Sequence, residues 1–131
     1  MIKVLKFGGT SVGSAANMKK VAEIVRREQA RITVLSAMSG TTDSLVRISR
    51  AAASGDRNAI EEQLAMLTDK YTRCIEELLR ERKQQALVRM NATFGLIRDE
   101  AAAFAEYESE RKIIAPVSYT HLRAHETSAH L

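Results

Sequence analysis

The segment around the first glycines constrains the fold more than any other part of the sequence. Residues 2–7 (IKVLKF) form a short apolar run that two glycines stop, which predicts a buried strand. Ser14 can cap a following helix over about residues 15–29, and Ile32–Leu35 predicts a second strand. The predicted buried face of the helix consists of Met18, Val21, Ala22 and Val25. This order predicts a βαβ unit with parallel strands and a right-handed crossover.

The rest of the chain is predicted to be helical. A short helix capped by Asp43 runs towards Ala53 and is broken at residues 54–56; its apolar side chains are Leu45, Val46 and Ile48. Two longer helices follow, separated near residues 82–84. Their apolar stripes are Ile60, Leu64, Leu67, Tyr71, Ile75 and Leu78 in the first, and Leu87, Met90, Phe94, Ile97, Ala101 and Phe104 in the second. These stripes predict an antiparallel hairpin, weakened by about 1 kcal/mol at Gly95.

Composition excludes several classes of protein. With 131 residues, 45% hydrophobic and 27% charged, the chain is expected to be one globular domain. It has no apolar run long enough for a membrane span and no signal peptide at its start. A net charge of +4, with acidic and basic residues alternating over 73–98, does not predict a nucleic-acid partner. Cys74 is the only cysteine, which fits a cytoplasmic location.

The C-terminal segment differs from the rest in composition. The only proline, Pro116, and all three histidines fall within residues 116–131, and the histidines are His121, His125 and His130. The last two are five positions apart, whereas a zinc-binding HExxH helix needs a spacing of four; the first two have that spacing but no evident third ligand. The string VSYTHLRAHET resembles a translated sequencing adapter. We therefore predict a native segment over residues 1–115 and a non-native tail over 116–131.

Two loops carry the residues suited to chemistry, and each follows a predicted strand, where open parallel sheets bind ligands. The first, residues 6–14 (KFGGTSVGS), is rich in glycines whose backbone can approach an anion, and it precedes a helix N-terminus. Lys6 supplies a positive charge, and Thr10 and Ser11 supply hydroxyls. The second, residues 36–43 (SAMSGTTD), offers hydroxyl and carboxylate groups for a small polar substrate. Tight turns and helix capping would explain both loops equally well.

The two loops together are more specific than either alone. KFGGTSV, followed some 25 residues later by VLSAMSGTTD, resembles the opening of the aspartate kinases of the amino-acid kinase family, over residues 1–115. The resemblance implies an α/β fold, namely the N-terminal part of an amino-acid-kinase fold with an incomplete sheet. It also implies phosphoryl transfer from ATP, with Mg²⁺, to the β-carboxylate of L-aspartate. The product, 4-phospho-L-aspartate, begins lysine, threonine and methionine biosynthesis.

The resemblance also assigns roles to individual residues. It places a nucleotide-binding function on Lys6, Phe7, Gly8, Gly9, Thr10, Ser11 and Ser36. Lys6 would stabilise charge on the transferring phosphoryl group as the catalytic residue. Thr42, with Ser36, would bind aspartate, and no residue is assigned to a metal.

Members of that family continue beyond the position of Ala115 into further site segments and regulatory domains that this sequence lacks. We therefore expect this chain to be an N-terminal fragment that is inactive alone and prone to aggregate through its strand edges. We expect the full-length protein to form a homo-oligomer. Two alternatives remain open: another amino-acid kinase, such as a glutamate 5-kinase or uridylate kinase, and a non-catalytic helical module whose hairpin docks a partner.

Overall fold

A computed structural model describes residues 1–114, with side chains described through Arg111. In chain order the elements are β1 (Val4–Phe7), α1 (Ala15–Glu28), β2 (Ile32–Leu35), α2 (Thr41–Ser54), α3 (Arg57–Leu78) and α4 (Lys83–Ile114). The predicted tail and its histidines lie outside the described residues. Within residues 1–114, no helix combines the length and apolar character that crossing a bilayer requires.

The predicted βαβ unit is confirmed. β1 and β2 are parallel neighbours, in a register that pairs Val4 with Ile32 and Phe7 with Leu35. Ser14 caps α1 by accepting a hydrogen bond from the backbone N–H of Asn17 at 3.1 Å. The first strand begins two residues later than predicted.

The prediction that the first strand is buried is wrong for this structure, and the second strand is equally exposed. Val4 and Leu35 are 56% and 57% exposed, and Val34 is 46% exposed. The reason is that the sheet has only two strands among the described residues, so most of its surface has no neighbouring strand or helix. Of the predicted buried face of α1, Val21 is buried, whereas Ala22 is exposed.

The predicted helical hairpin is confirmed. Arg57 near the start of α3 bonds Glu106 near the end of α4, and Glu61 bonds Arg98. As residue numbers increase along α3, the numbers of their partners in α4 decrease, so the two helices are antiparallel. Except for Leu78, which packs against a separate cluster around Cys74, both predicted stripes meet in one apolar core. Its buried members are Ile48, Ala51, Ala52, Ile60, Leu64, Leu67, Met90, Phe94 and Ala105. Since α2 contributes to this core, α2, α3 and α4 form a three-helix unit.

The start of α2 differs from the prediction. Asp43 is not the N-cap; the cap position is Gly40, with a left-handed φ of 86° and no capping side chain. Asp43 lies instead in the first turn, where a carboxylate still favours the positive helix end. Of the predicted apolar positions, Ile48 is buried, whereas Leu45 and Val46 are exposed, because α2 packs on the other helices through Ile48, Ala51 and Ala52.

Candidate functional site

The two loops singled out from the sequence emerge side by side. Each leaves the carboxyl end of a strand, and the backbone N–H of Ser36 donates to the carbonyl oxygen of Phe7 at 3.0 Å. The parallel pairing places these strand ends at one edge of the sheet. This edge is where parallel α/β sheets bind ligands.

The glycine loop, defined as residues 8–14, leaves several backbone amides available. Val12 donates to the carbonyl of Gly8 at 3.3 Å and Gly13 to that of Thr10 at 3.2 Å, which folds the loop into consecutive turns. The N–H groups of Gly8, Gly9 and Thr10 donate to no acceptor among the described residues. Exposed N–H groups bond water, and an anion can take the place of that water.

The side chains around the glycine loop are accessible. Lys6 is exposed on β1, one residue before the strand ends, and pairs in register with Val34. Phe7, Thr10 and Ser11 line a cavity of about 300 Å³, together with Asn17, Lys20, Val21 and Ile24 of α1. The structure therefore brings three of the predicted nucleotide-binding side chains together around one cavity.

The glycine loop is joined directly to the second loop, residues 36–43. The N–H of Ser39 donates to the carbonyl of Gly9 at 3.2 Å. A Cβ atom at Gly9 would lie 3.0 Å from the carbonyl oxygen of Ala37, and one at Gly13 would lie 2.7 Å from Oγ of Ser39. A Cβ at Gly8 would meet open space. Two of the glycines are therefore needed because the loops pack closely, a reason separate from ligand binding.

The predicted substrate residues flank the second loop. Ser36 begins it and Thr42 lies in the first turn of α2, and both are exposed. Between them Thr41 is buried, and its N–H donates to the carbonyl of Met38 at 3.1 Å. Within the described residues, Thr42 makes no hydrogen bond to the glycine loop, so the two predicted halves of the site meet through Ser39 and not through Thr42 itself.

Residues of α3 that the sequence did not point to also reach the second loop. Nζ of Lys70 donates to the carbonyl oxygen of Ser39, and the hydroxyl of Tyr71 lies 2.7 Å from Oγ1 of Thr41. Tyr71 was predicted only as part of an apolar stripe. Its hydroxyl indicated that a polar partner was to be expected, because a buried tyrosine usually has one. No local sequence pattern could identify that partner, since it lies 30 positions away.

The junction between the loops and α3 encloses a cleft of about 270 Å³. It is lined by Gly13, Ser14, Ala15, Met38, Asp69, Lys70, Arg73, Cys74 and Glu77. Burial, and secondarily the charge of Glu77, raises the pKa of the Cys74 thiol, which favours its protonated form. Its Sγ lies 3.7 Å from Sδ of Met18. Among residues 1–111, no group of three or more histidine, cysteine, aspartate or glutamate side chains is placed to hold a metal ion.

These features define an α/β protein with a glycine-rich loop at the carboxyl edge of a parallel sheet. The amino acid kinase family matches the chain over residues 1–126, and the chain belongs to that family.

Several curated proteins match part of the chain. Aspartokinase 1 of Arabidopsis thaliana, a chloroplastic protein, is 42% identical over 79 residues, which cover 57% of this chain and 14% of the plant protein. An aspartokinase of Chlamydia muridarum is 39% identical over 75 residues, covering 57% of this chain and 16% of its own length. An aspartate kinase of Pseudomonas fluorescens is 40% identical over 68 residues, covering 49% and 16%. The chain thus matches about one seventh of the length of these relatives.

Proposed function

We propose that this chain forms the N-terminal part of the catalytic domain of an aspartate kinase. The reaction is transfer of the γ-phosphoryl group of MgATP to the β-carboxylate of L-aspartate, giving 4-phospho-L-aspartate. Support comes from the names of the relatives described above and from the two loops, whose sequences resemble those of that group of kinases.

The observation that carries the proposal is the link between the glycine loop and the second loop. The free amides of Gly8, Gly9 and Thr10 suit a phosphate chain, and the Ser39–Gly9 hydrogen bond holds the second loop beside them. Phosphoryl transfer depends mainly on positioning two substrates and neutralising charge. A site built from two joined loops, one for each substrate, supplies that positioning.

The residues present fit the proposed substrates. Lys6, exposed two positions before the first of these amides, would hold phosphate oxygens and neutralise charge that develops on the transferring group. The hydroxyls of Thr10, Ser11 and Ser36 offer further donors to phosphate, and Thr42, with Ser36, offers donors to a carboxylate of aspartate. Mg²⁺ commonly keeps several waters and binds through substrate phosphates. Its arrival with the nucleotide is therefore compatible with the lack of a carboxylate cluster within residues 1–111.

The same proposal extends to the setting of the reaction. We place it in the cytoplasm at the first step of lysine, threonine and methionine biosynthesis, in a homo-oligomeric complete protein. Residues 1–131 alone are expected to be inactive, because the sheet leaves large apolar side chains exposed on both described strands.

A chimaera tests the proposal. Residues 1–114 of this chain replace the corresponding N-terminal segment of the Arabidopsis aspartokinase, and ADP formation is measured with aspartate, glutamate and UMP as acceptors. We expect turnover with aspartate only. Lys6→Ala should lower kcat by about 100-fold or more, as loss of a group that stabilises transition-state charge does.

Lys19→Ala is the matched control, because Lys19 is an exposed lysine of α1 that lines none of the cavities described above. Its kcat should stay within about twofold of the parent chimaera, as for most surface substitutions. An inactive chimaera, or equal activity of the two alanine variants, would contradict the proposal. Hydroxamate formation by the purified 131-residue chain, above its Lys6→Ala variant, would contradict the expected inactivity of the fragment.

A further inference from the structure

Two adjacent residues of α3 hold the second loop from outside the glycine loop. Lys70 donates from Nζ to the carbonyl oxygen of Ser39, and the hydroxyl of Tyr71 lies 2.7 Å from Oγ1 of Thr41. The two contacts flank Gly40, whose left-handed φ of 86° forms the turn between them. The backbone is thus held on both sides of its sharpest bend.

Ser39 is the point where three parts of the molecule meet. Its N–H donates to the carbonyl of Gly9 in the glycine loop, while its carbonyl accepts from Lys70 in α3. A hydrogen bond from a charged donor is stronger than one between neutral groups. Rotation of the Ser39 peptide units would break one contact or the other, so α3 and the glycine loop together fix the position of this residue.

Tyr71 is well placed to act as a rigid anchor. Its ring packs edge-on against Phe94, with centroids 5.4 Å apart and an interplanar angle of 83°. The ring packs against the apolar core shared by α2, α3 and α4, and its hydroxyl reaches Thr41 of the loop. The tightly packed helices therefore set the position of Thr41, and with it that of the next residue, Thr42.

We propose that Lys70 and Tyr71 are positioning residues for the second loop. They act through Ser39 and Thr41 and do not touch substrate. The inference rests on the proposed function, because it takes Thr42 as an aspartate-binding residue. Misplacement of a substrate group by about 1 Å can cost about 100-fold in rate. A loop held from the helical core gives Thr42 a fixed position before substrate arrives.

The first experiment needs no catalytic activity. Amide hydrogen exchange is measured by NMR on the 131-residue chain, comparing Lys70→Met and Tyr71→Phe with the control Tyr107→Phe. Tyr107 is an exposed tyrosine on α4 whose ring lies near Arg111. Exchange of the Ser39 and Thr41 amides should quicken by about tenfold in the first two variants, as loss of one hydrogen bond allows. Unchanged exchange in both variants, with the control as reference, would overturn the inference.

The second experiment separates positioning from general stability. In the active chimaera, Tyr71→Phe should raise KM for aspartate by about three- to tenfold, while KM for ATP stays within about twofold. Lys70→Met should do the same, and Lys70→Arg, which keeps a charged donor, should recover most of the loss. Equal changes in both KM values, or none, would overturn the inference. An unsubstituted chimaera without aspartate-dependent turnover would instead contradict the proposed function, and the exchange measurement would still decide whether α3 anchors the loop.

Discussion

The two halves of the described chain differ sharply in how they bury apolar surface. The three-helix unit of α2, α3 and α4 encloses a continuous core in which Ile60 and Leu64 are at most 1% exposed. The βαβ unit, in contrast, leaves Val4, Val34 and Leu35 about half exposed. Yet the candidate site is built mainly on the less buried half. Its precision must therefore come from elsewhere, and the contacts of Lys70 and Tyr71 indicate that it comes from the helices.

The comparison also suggests which half determines stability. Burial of apolar area provides most of the free energy of folding, at about 25 cal/mol per Å². The helical unit has that burial within the described residues, and the two-stranded sheet has little of it. We therefore expect substitutions in the helical core to have the largest effects, and substitutions in the sheet to have small ones.

A pair of leucine substitutions tests this difference directly. Leu64→Ala removes a fully buried side chain from the helical core and should lower the free energy of unfolding by about 3 kcal/mol. Leu35→Ala, on the 57% exposed end of β2, should cost less than about 1 kcal/mol. Urea unfolding followed by circular dichroism measures both. Equal costs would mean that the sheet is buried in solution and that the contrast between the halves is wrong.

A pair of glycine substitutions tests how tightly the site loops are packed within the weaker half. Gly9→Ala puts a Cβ 3.0 Å from the carbonyl oxygen of Ala37 and should cost about 2 kcal/mol, with faster amide exchange at Ser39. Gly8→Ala meets open space and should change the free energy of unfolding by less than about 0.5 kcal/mol. If the two variants unfold alike, the loops are not in close contact.

Local chemistry explains which parts of this architecture could be predicted from sequence. The Ser14 cap, the parallel strands and both long apolar stripes depend on short-range patterns, and the structure confirms them. The Asp43 cap was wrong because Gly40, the residue directly before α2, forms the turn without a capping side chain. Strand burial was wrong because burial depends on neighbours that a strand's own pattern does not specify.

The site shows the same division. The residues of both loops could be proposed from their order and spacing, and the structure brings the loops together through Ser39 and Gly9. The roles of individual residues in binding nucleotide or aspartate stay predictions. The contacts of Lys70 and Tyr71 could not be predicted, because they join positions about 30 residues apart and depend on how α3 packs.

A substitution at a glycine inside the helical unit should raise the free energy of unfolding, which would widen the difference in stability between the two halves. Gly95 lies within α4, and a Cβ there would meet no atom within 4 Å. Gly95→Ala should therefore raise the free energy of unfolding by about 1 kcal/mol through helix propensity alone. Gly55→Ala is the opposite case, with a φ of 75° and a new Cβ that would clash with Oγ of Ser109, and should destabilise. A loss of stability in Gly95→Ala would show that α4 is not helical at this position in solution.

The smallest expected effect lies at the far end of the βαβ unit, where Lys3 and Glu28 form a surface ion pair at 2.8 Å. The hydrogen bond and charge of Lys3 lower the pKa of Glu28 below its ordinary value of 4.5. A lowered pKa in the folded state means that the pair stabilises the fold above that ordinary value. The contribution is then lost as the pH falls through the folded pKa.

Glu28→Gln should accordingly be slightly less stable than the parent chain at pH 7 and equal to it at pH 2, with a smaller difference in 1 M salt. Glu100→Gln, an exposed glutamate of α4, serves as the control and should show no such convergence. Because this pair ties β1 to α1, a pH-dependent loss in global unfolding would mean that the βαβ unit unfolds together with the helices. A loss confined to amide exchange in α1 would mean that the two halves unfold separately.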